Sequence, residues 1–192
     1  MFGIGIFIIR FEEDFMSKKR SLVLFIASSL DGYIATEDES LDWLYHVEGE
    51  GDNGFSEFYD TVDTILMGKR TYDWVMAQDL EEFPYKNKEC YVFTRSVIED
   101  TEDVKFVRGD LIDFVNRLKS QAGKNIWIVG GGELLHSFIQ KKLVDELILT
   151  VAPILLGKGI PLFREGDVRL NLSLKRMRSF NQFVELHYVV KN

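Results

Sequence analysis

The chain has one cysteine, Cys90, in 192 residues. That excludes an intramolecular disulfide and any metal cluster built on several thiolates, and it fits a reducing cytoplasm. It also lacks an excess of positive charge: the net charge is −8. No stretch concentrates Lys and Arg, so a nucleic-acid-binding face is excluded, and a phosphate-bearing ligand would need local basic groups. A long hydrophobic run is missing as well. Met1 to Ile9 is apolar but too short to span a bilayer, and no basic segment precedes it. We read 1–15 as an N-terminal extension and 16–192 as one domain, with Met16-Ser17-Lys18 as the more natural beginning. No metal site is expected, and neither membrane nor nucleic acid is expected as a partner.

What is present is a core-former. Apolar residues make up 46% and aromatics 13%, enough to exclude a disordered chain. Leu22 to Ala27 and Thr64 to Met67 are continuous apolar runs, as expected of strands buried on both faces. Tyr91 to Thr94 and Val104 to Val107 read as further strands. Phe55, Phe58, Tyr59 and Val62 recur with the spacing of one amphipathic helix. Asp110 is placed to cap the helix that buries Leu111, Phe114, Val115 and Leu118, with Gly123 ending it. Glu37 to Gly54 reads as a long acidic loop. Leu147 to Leu156 reads as a strand interrupted by Pro153, implying an edge position or a bulge. The last two segments, Leu170 to Phe180 and Phe183 to Val190, alternate like antiparallel strands around Asn181-Gln182. The sum is an α/β chain with a mixed, mostly parallel sheet, antiparallel strands at its C-terminus and helices on both faces.

The most informative stretch is Ile126 to Leu135, in which a hydrophobic strand runs into Gly130, Gly131 and Gly132 and then into a helix. Glycines there let another molecule's phosphates approach, and the helix start offers free N–H groups to an anion. A Rossmann fingerprint would follow the first strand, and a P-loop would end in Gly-Lys-Ser/Thr; neither is present. Gly68-Lys69-Arg70-Thr71 opens a second helix after a buried strand, a second anion site by the same geometry. Arg95 and Ser96 follow the next strand.

Four ordered motifs then carry a resemblance. Ile26 to Ala35 (with Ser28-Ser29-Leu30-Asp31-Gly32) follows the first strand, Met67 to Tyr72 the second, Phe93-Thr94-Arg95-Ser96 the third. Val129 to Glu133 is the fourth, followed by Pro153 to Gly159. Together they resemble the dihydrofolate-reductase-like fold, and within it the reductase domain of the bifunctional riboflavin-biosynthesis deaminase/reductase, over Ser21 to Val190. The resemblance implies a three-layer fold and NADPH as cofactor. It assigns the nicotinamide carboxamide to the backbone of Ala27 and Ile34. The phosphates fall to Gly68, Lys69, Arg70, Thr71, Thr94, Arg95 and Ser96, and the pyrophosphate to Val129, Gly130, Gly131, Gly132, Glu133 and Leu134. It also implies a cis peptide between Gly130 and Gly131. Substrate is expected near Ser29, Asp31, Phe55, Phe58 and Gly157, with Lys158 and Arg164 as loose candidates for a substrate phosphate.

The resemblance has limits. Dihydrofolate reductases carry an acid on the first helix, and Gly54 stands in that register here, with Asp52 and Glu57 beside it. His46-Val47-Glu48 mimics half of a zinc deaminase motif, but a single cysteine rules out the other half. No catalytic residue is assigned. Hydride transfer requires no nucleophile, because the cofactor carries the chemistry. The expectation is a cytoplasmic NADPH-dependent reductase acting on a small heterocycle, riboflavin-type ribosylaminopyrimidine reduction being the leading case. A divergent dihydrofolate reductase and a non-catalytic NADPH-binding protein are the alternatives, and family members commonly form homodimers.

Overall fold

The computed structural model describes residues 19–166 and 168–191; the extension proposed for 1–15 lies outside them. The described residues begin with β1 (Leu22–Ser29), β2 (Tyr33–Ala35), α1 (Asp42–Tyr45), α2 (Phe55–Tyr59) and β3 (Val62–Gly68). It continues through α3 (Lys69–Met76), β4 (Glu89–Phe93), β5 (Val104–Val107), α4 (Leu111–Ser120) and β6 (Asn125–Gly130). It ends with α5 (Gly132–Gln140), β7 (Glu146–Ala152), β8 (Ile160–Pro161), β9 (Leu172–Phe180) and β10 (Phe183–Val190). Among the described residues ten strands form two sheets, the larger in the order β5-β4-β3-β6-β1-β7-β10-β9 and the smaller pairing β2 with β8. Every neighbour from β5 to β7 is parallel, and β10 is antiparallel to β7 and β9.

Burial explains the apolar runs. Leu22, Leu24, Leu66, Ile126 and Ile128 face α4 and α5, where Val115, Leu118, Leu135 and Phe138 meet them. Val23, Ile65, Met67 and Trp127 face the other side, against Phe58 of α2 and Val75 of α3. Fully burying one such aliphatic side chain contributes about 1.5–3 kcal/mol, so the two clusters hold helices on both faces. Asp110 caps α4 as expected, its Oδ1 accepting from the N–H groups of Ile112 and Asp113.

Three expectations need correction. Val62 is the first residue of β3 and not the fourth contact of a helix. The Thr61 N–H and hydroxyl both donate to the Phe58 carbonyl and close α2, and Val62 then pairs with Asn125. Pro153 interrupts nothing: β7 ends at Ala152 and is internal, flanked by β1 and β10, so the proline simply stops a ladder it cannot donate to. Glu37 to Gly54 is not loop throughout, because α1 plants Trp43 among Ala152 and Phe183. The boundary at Gly123 is close, with α4 ending at Ser120.

Candidate functional site

β3, β5 and β6 deliver α3, α4 and α5, each with its N-terminus at the carboxyl edge of the sheet. The chain leaves β1, goes outward through β3, β4 and β5, returns to β6 between β3 and β1, and crosses to β7. The direction of winding reverses there, which is where open α/β sheets take ligands. Met67 of β3 pairs with Gly130 of β6, so the two helix starts at Lys69 and Gly132 are neighbours. Their N-cap residues are Gly68 and Gly131, which have no side chain to cap with, and first-turn N–H groups have no partner inside a helix. Two motifs 60 residues apart in the chain therefore make one edge.

The glycines are required by close approach. A Cβ on Gly131 would lie 3.2 Å from Thr71 Oγ1, and one on Gly132 would lie 3.2 Å from the Pro161 carbonyl oxygen. Gly130 has φ +143°, and the Gly130-Gly131 peptide is cis. Val129 is half-buried, Leu134 is in the core, and exposed Glu133 pairs with Arg164 at 3.4 Å. Among the basic groups, Lys69 pairs with Asp73 one turn along α3, and Arg70 pairs with Glu39. Arg95 is exposed and makes no ion pair among the described residues, while the Thr94 hydroxyl accepts from the Ser96 N–H at 3.1 Å. Strand order sets the Arg95 loop, Lys69–Thr71, Gly130–Leu134 and Ala27 side by side along four strand ends. At ~4.8 Å per strand the row is about 14 Å long.

Ser29, Asp31 and Gly157 do come together, but they satisfy one another. Asp31 accepts from the N–H groups of Leu156 at 3.1 Å and Gly157 at 2.7 Å, and from the Ser29 hydroxyl at 2.6 Å. The Ser29 contact, then those two amides, holds the Asp31 carboxyl below its ordinary value of 3.8. The group is a clamp between the end of β1 and the loop after β7. Ile34 of β2 lies above it, half-buried.

On the α2 face of the sheet lies a polar cleft of about 160 Å³ that sequence reasoning missed. Phe25 stacks on Phe58 at 4.1 Å between centroids, with Trp127 edge-on at 5.5 Å to Phe58. Phe55 packs on Tyr59 above them. Register sets Ala27, Thr150, Glu185 and Arg178 in one row across β1, β7, β10 and β9. Arg178 forks onto Glu185, Nε at 2.8 Å and Nη2 at 2.9 Å, and its remaining Nη1 reaches Glu57 on α2. Glu185 is 0% exposed. Gly54, with φ +79°, stands where the resemblance places an acid, and a Cβ there would lie 2.9 Å from Arg178 Nη2. A guanidinium fills that position. The signal was available in part: Arg176 and Arg178, like Glu185 and His187, alternate at period two, so each pair shares a face. A second cleft, of about 170 Å³ between His136, Leu162 and Leu172, is on the α5 face, and neither cleft contains a residue of the glycine edge.

At the floor of the polar cleft, His187 Nε2 lies 2.6 Å from Glu146 Oε2, and Lys175 Nζ lies 3.0 Å from the same oxygen. The His187 contact first, and Lys175 after it, bring the Glu146 carboxyl down from 4.5 to about 2. A carboxylate whose folded value is depressed stabilises the fold above its unfolded pKa, and that contribution is lost as the pH falls. The window here runs from about 4.5 down to about 2. Glu146→Gln is expected to flatten the acid limb of a urea-denaturation profile within that window; an unchanged limb would show that the pair contributes nothing.

Comparison with known proteins fits this geometry. The RibD C-terminal domain family model matches residues 20–186. YwjB, an uncharacterized protein of Bacillus subtilis, is 50% identical over 172 residues, covering 89% of this chain and 98% of YwjB. A crystal structure from Shewanella sp. PV-4, assigned provisionally to riboflavin biosynthesis, aligns with TM-score 0.82 and 32% identity, covering 90% of this chain and 99% of that one. A dihydrofolate reductase of Enterococcus faecalis complexed with NADP(H) shares the fold at TM-score 0.61 and 15% identity, covering 91% and 98% of the two chains. With the family matched from Arg20 to Leu186, the chain belongs to the RibD C-terminal domain family.

Proposed function

We propose that the protein is an NADPH-dependent reductase that delivers hydride to a small heterocyclic substrate. The observation that carries this reading is the meeting of two glycine-capped helix starts, at Lys69 and Gly132, with the exposed Arg95 one strand further out. The cradle fits a dinucleotide in one testable respect, since side chains at Gly131 and Gly132 would close it against Thr71 and Pro161. NADPH, when bound, supplies the hydride equivalent. The chain's own residues do the rest. N–H groups at the start of α5 and α3 would hold the pyrophosphate, with Thr71 donating its hydroxyl. Arg95, with Ser96 beside it, would take the 2′-phosphate by bidentate contacts that NADH cannot return. The backbone of Ala27 and Ile34 would orient the nicotinamide carboxamide toward the α2 face. Gly54 leaves no acid in the register where dihydrofolate reductases carry one, which disfavours folate as the substrate.

The test is a fluorescence titration with both coenzymes. Arg95→Ala is expected to weaken NADPH binding about tenfold, ~1.4 kcal/mol, and to leave NADH binding within twofold. Equal loss for the two coenzymes would remove Arg95 from the phosphate site, and absence of NADPH binding by the parent protein would remove the proposal.

A further inference from the structure

We propose that the open apolar face of β9 and β10 binds a second copy of this chain, in a two-fold contact that seats an apolar side chain of each copy in a cleft of the other. Leu172, Leu174, Met177 and Ser179 of β9 pair with Val190, Tyr188, Leu186 and Val184 of β10. β10 in turn sets Leu186 and Tyr188 beside Leu149 and Leu147 of β7, which belong to the core under α5. These side chains therefore share the α5 face, and none of them is charged. Arg176, Arg178, Glu185 and His187 alternate to the α2 face, where Arg176 and Arg178 meet Glu57.

An antiparallel pair with one solvated face ordinarily keeps its polar side chains on that face. Here the order is inverted. The ion pairs face α2, while on the apolar side Leu174 is 57% exposed and Met177 65% exposed. The fold explains why. α4 and α5 build the core on this face as far as β7, and among the described residues no helix follows α5, so the helical layer stops short of the two outer strands. An apolar strip left open in this way marks a contact with another macromolecule.

Charge favours a second copy as the occupant. The net charge is −8, so two copies repel wherever their acidic surfaces meet. A strip without charge lets them meet at the least cost. Shape favours it too. The strip ends at Leu172, which is also a wall of the mostly apolar cleft of about 170 Å³ bounded by Ile139, Leu147 and Phe163. A cavity of roughly 150 Å³ takes a benzene-sized group, so one methionine side chain fits, and methionine adapts well to irregular gaps. Each copy thus carries an exposed Met177 and, five residues back along β9, a cleft. Those five residues span about 17 Å. A two-fold axis through the middle of that span lays Met177 of each copy on the cleft of the other, an isologous contact. The contact lies away from the glycine edge and stands whether or not the coenzyme reading does.

Strands of nine and eight residues cover about 30 by 10 Å. That is less than a full-size interface, and a dissociation constant of about 10 µM is expected. Sedimentation equilibrium of the full-length chain tests it. Between about 1 and about 100 µM the mass is expected to rise from 22.3 kDa toward twice that value, as mass action requires. Met177→Lys and Leu174→Asp are each expected to raise the dissociation constant at least about tenfold, because the contact would have to bury an unpaired charge. Met76→Lys, at an exposed apolar position on α3, is expected to change nothing. Both strip positions are exposed in the single chain, so the dilute variants are expected to melt within about 2 °C of the parent. A variant that melts well below the parent when dilute would assign these side chains to the chain's own fold and overturn the proposal. Removal of residues 1–15 is expected to leave the dimer intact. A parent that stays at 22.3 kDa throughout, or a dimer that both charged variants retain, also overturns it. So does a dimer that appears or disappears with residues 1–15, which would give the strip to that segment.

Discussion

Gly132→Val is expected to weaken NADPH binding about 100-fold, ~2.7 kcal/mol, and to lower the thermal midpoint of the apoprotein. The argument is steric and specific to this position. Gly132 opens α5, and its added Cβ would lie 3.2 Å from the Pro161 carbonyl oxygen. That oxygen is backbone of β8, held by pairing with Tyr33 of β2, so it has no rotamer by which to withdraw. Either β8 or the first turn of α5 must shift, and both border the proposed pyrophosphate cradle. Valine also adds two methyl groups beside the first-turn N–H groups. Gly132→Ala adds only the Cβ, needs a displacement of a few tenths of an ångström, and is expected to lose less than tenfold. A valine variant that is folded by circular dichroism and binds NADPH within threefold of the parent would exclude the glycine edge as the coenzyme site.

That edge was legible in the sequence because its signals are local. Hydrophobic runs ending in Gly68 and Gly130 announce strand-to-helix turns, and parallel strands put all such turns at one end of the sheet. Local reading fails where a residue's partner is remote. Asp31 is expected near the substrate, and what no local pattern shows is that its carboxylate accepts from the amides of Leu156 and Gly157, more than a hundred residues on. Val62 matches helical spacing because it is buried in the same cluster as Phe58, which it reaches from β3 and not from a longer α2. Only the closure of α2 at Thr61 decides it. Phe58, expected near the substrate, is stacked on Phe25 and largely buried, and it also lines the polar cleft.

Arg178 and Glu185 show the same limit most fully. Period two could assign each to a face of its strand, yet their pairing depends on the register of β9 against β10, and the link to Glu57 depends on where α2 lands. A local pattern carries neither piece of information. The glycine at position 54 carried half of it: an absent acid was visible, and the guanidinium that occupies its place was not.

Arg178→Ala is expected to destabilise the fold by about 3–5 kcal/mol, since removing one partner leaves a buried charge uncompensated. Glu185 is 0% exposed and sits in the middle of β10, so water does not replace the lost donors. Two of the guanidinium's hydrogen bonds end on its oxygens, at 2.8 and 2.9 Å, while the contact from Arg176 is 3.7 Å and too long to substitute. The carboxylate must then be protonated or the strand must open. Arg178→Met with Glu185→Leu removes both charges and fills similar volume, and such replacements are often neutral or stabilising. Urea denaturation of Arg178→Met, Glu185→Leu and the double variant at neutral pH forms a cycle that separates the explanations. A large loss in Arg178→Met, which keeps the stem volume, with recovery in the double variant assigns the cost to the orphaned carboxylate. A large loss in Arg178→Ala with little loss in Arg178→Met assigns it instead to packing of the arginine stem against Phe180, whose ring centroid lies 4.9 Å from the guanidinium carbon.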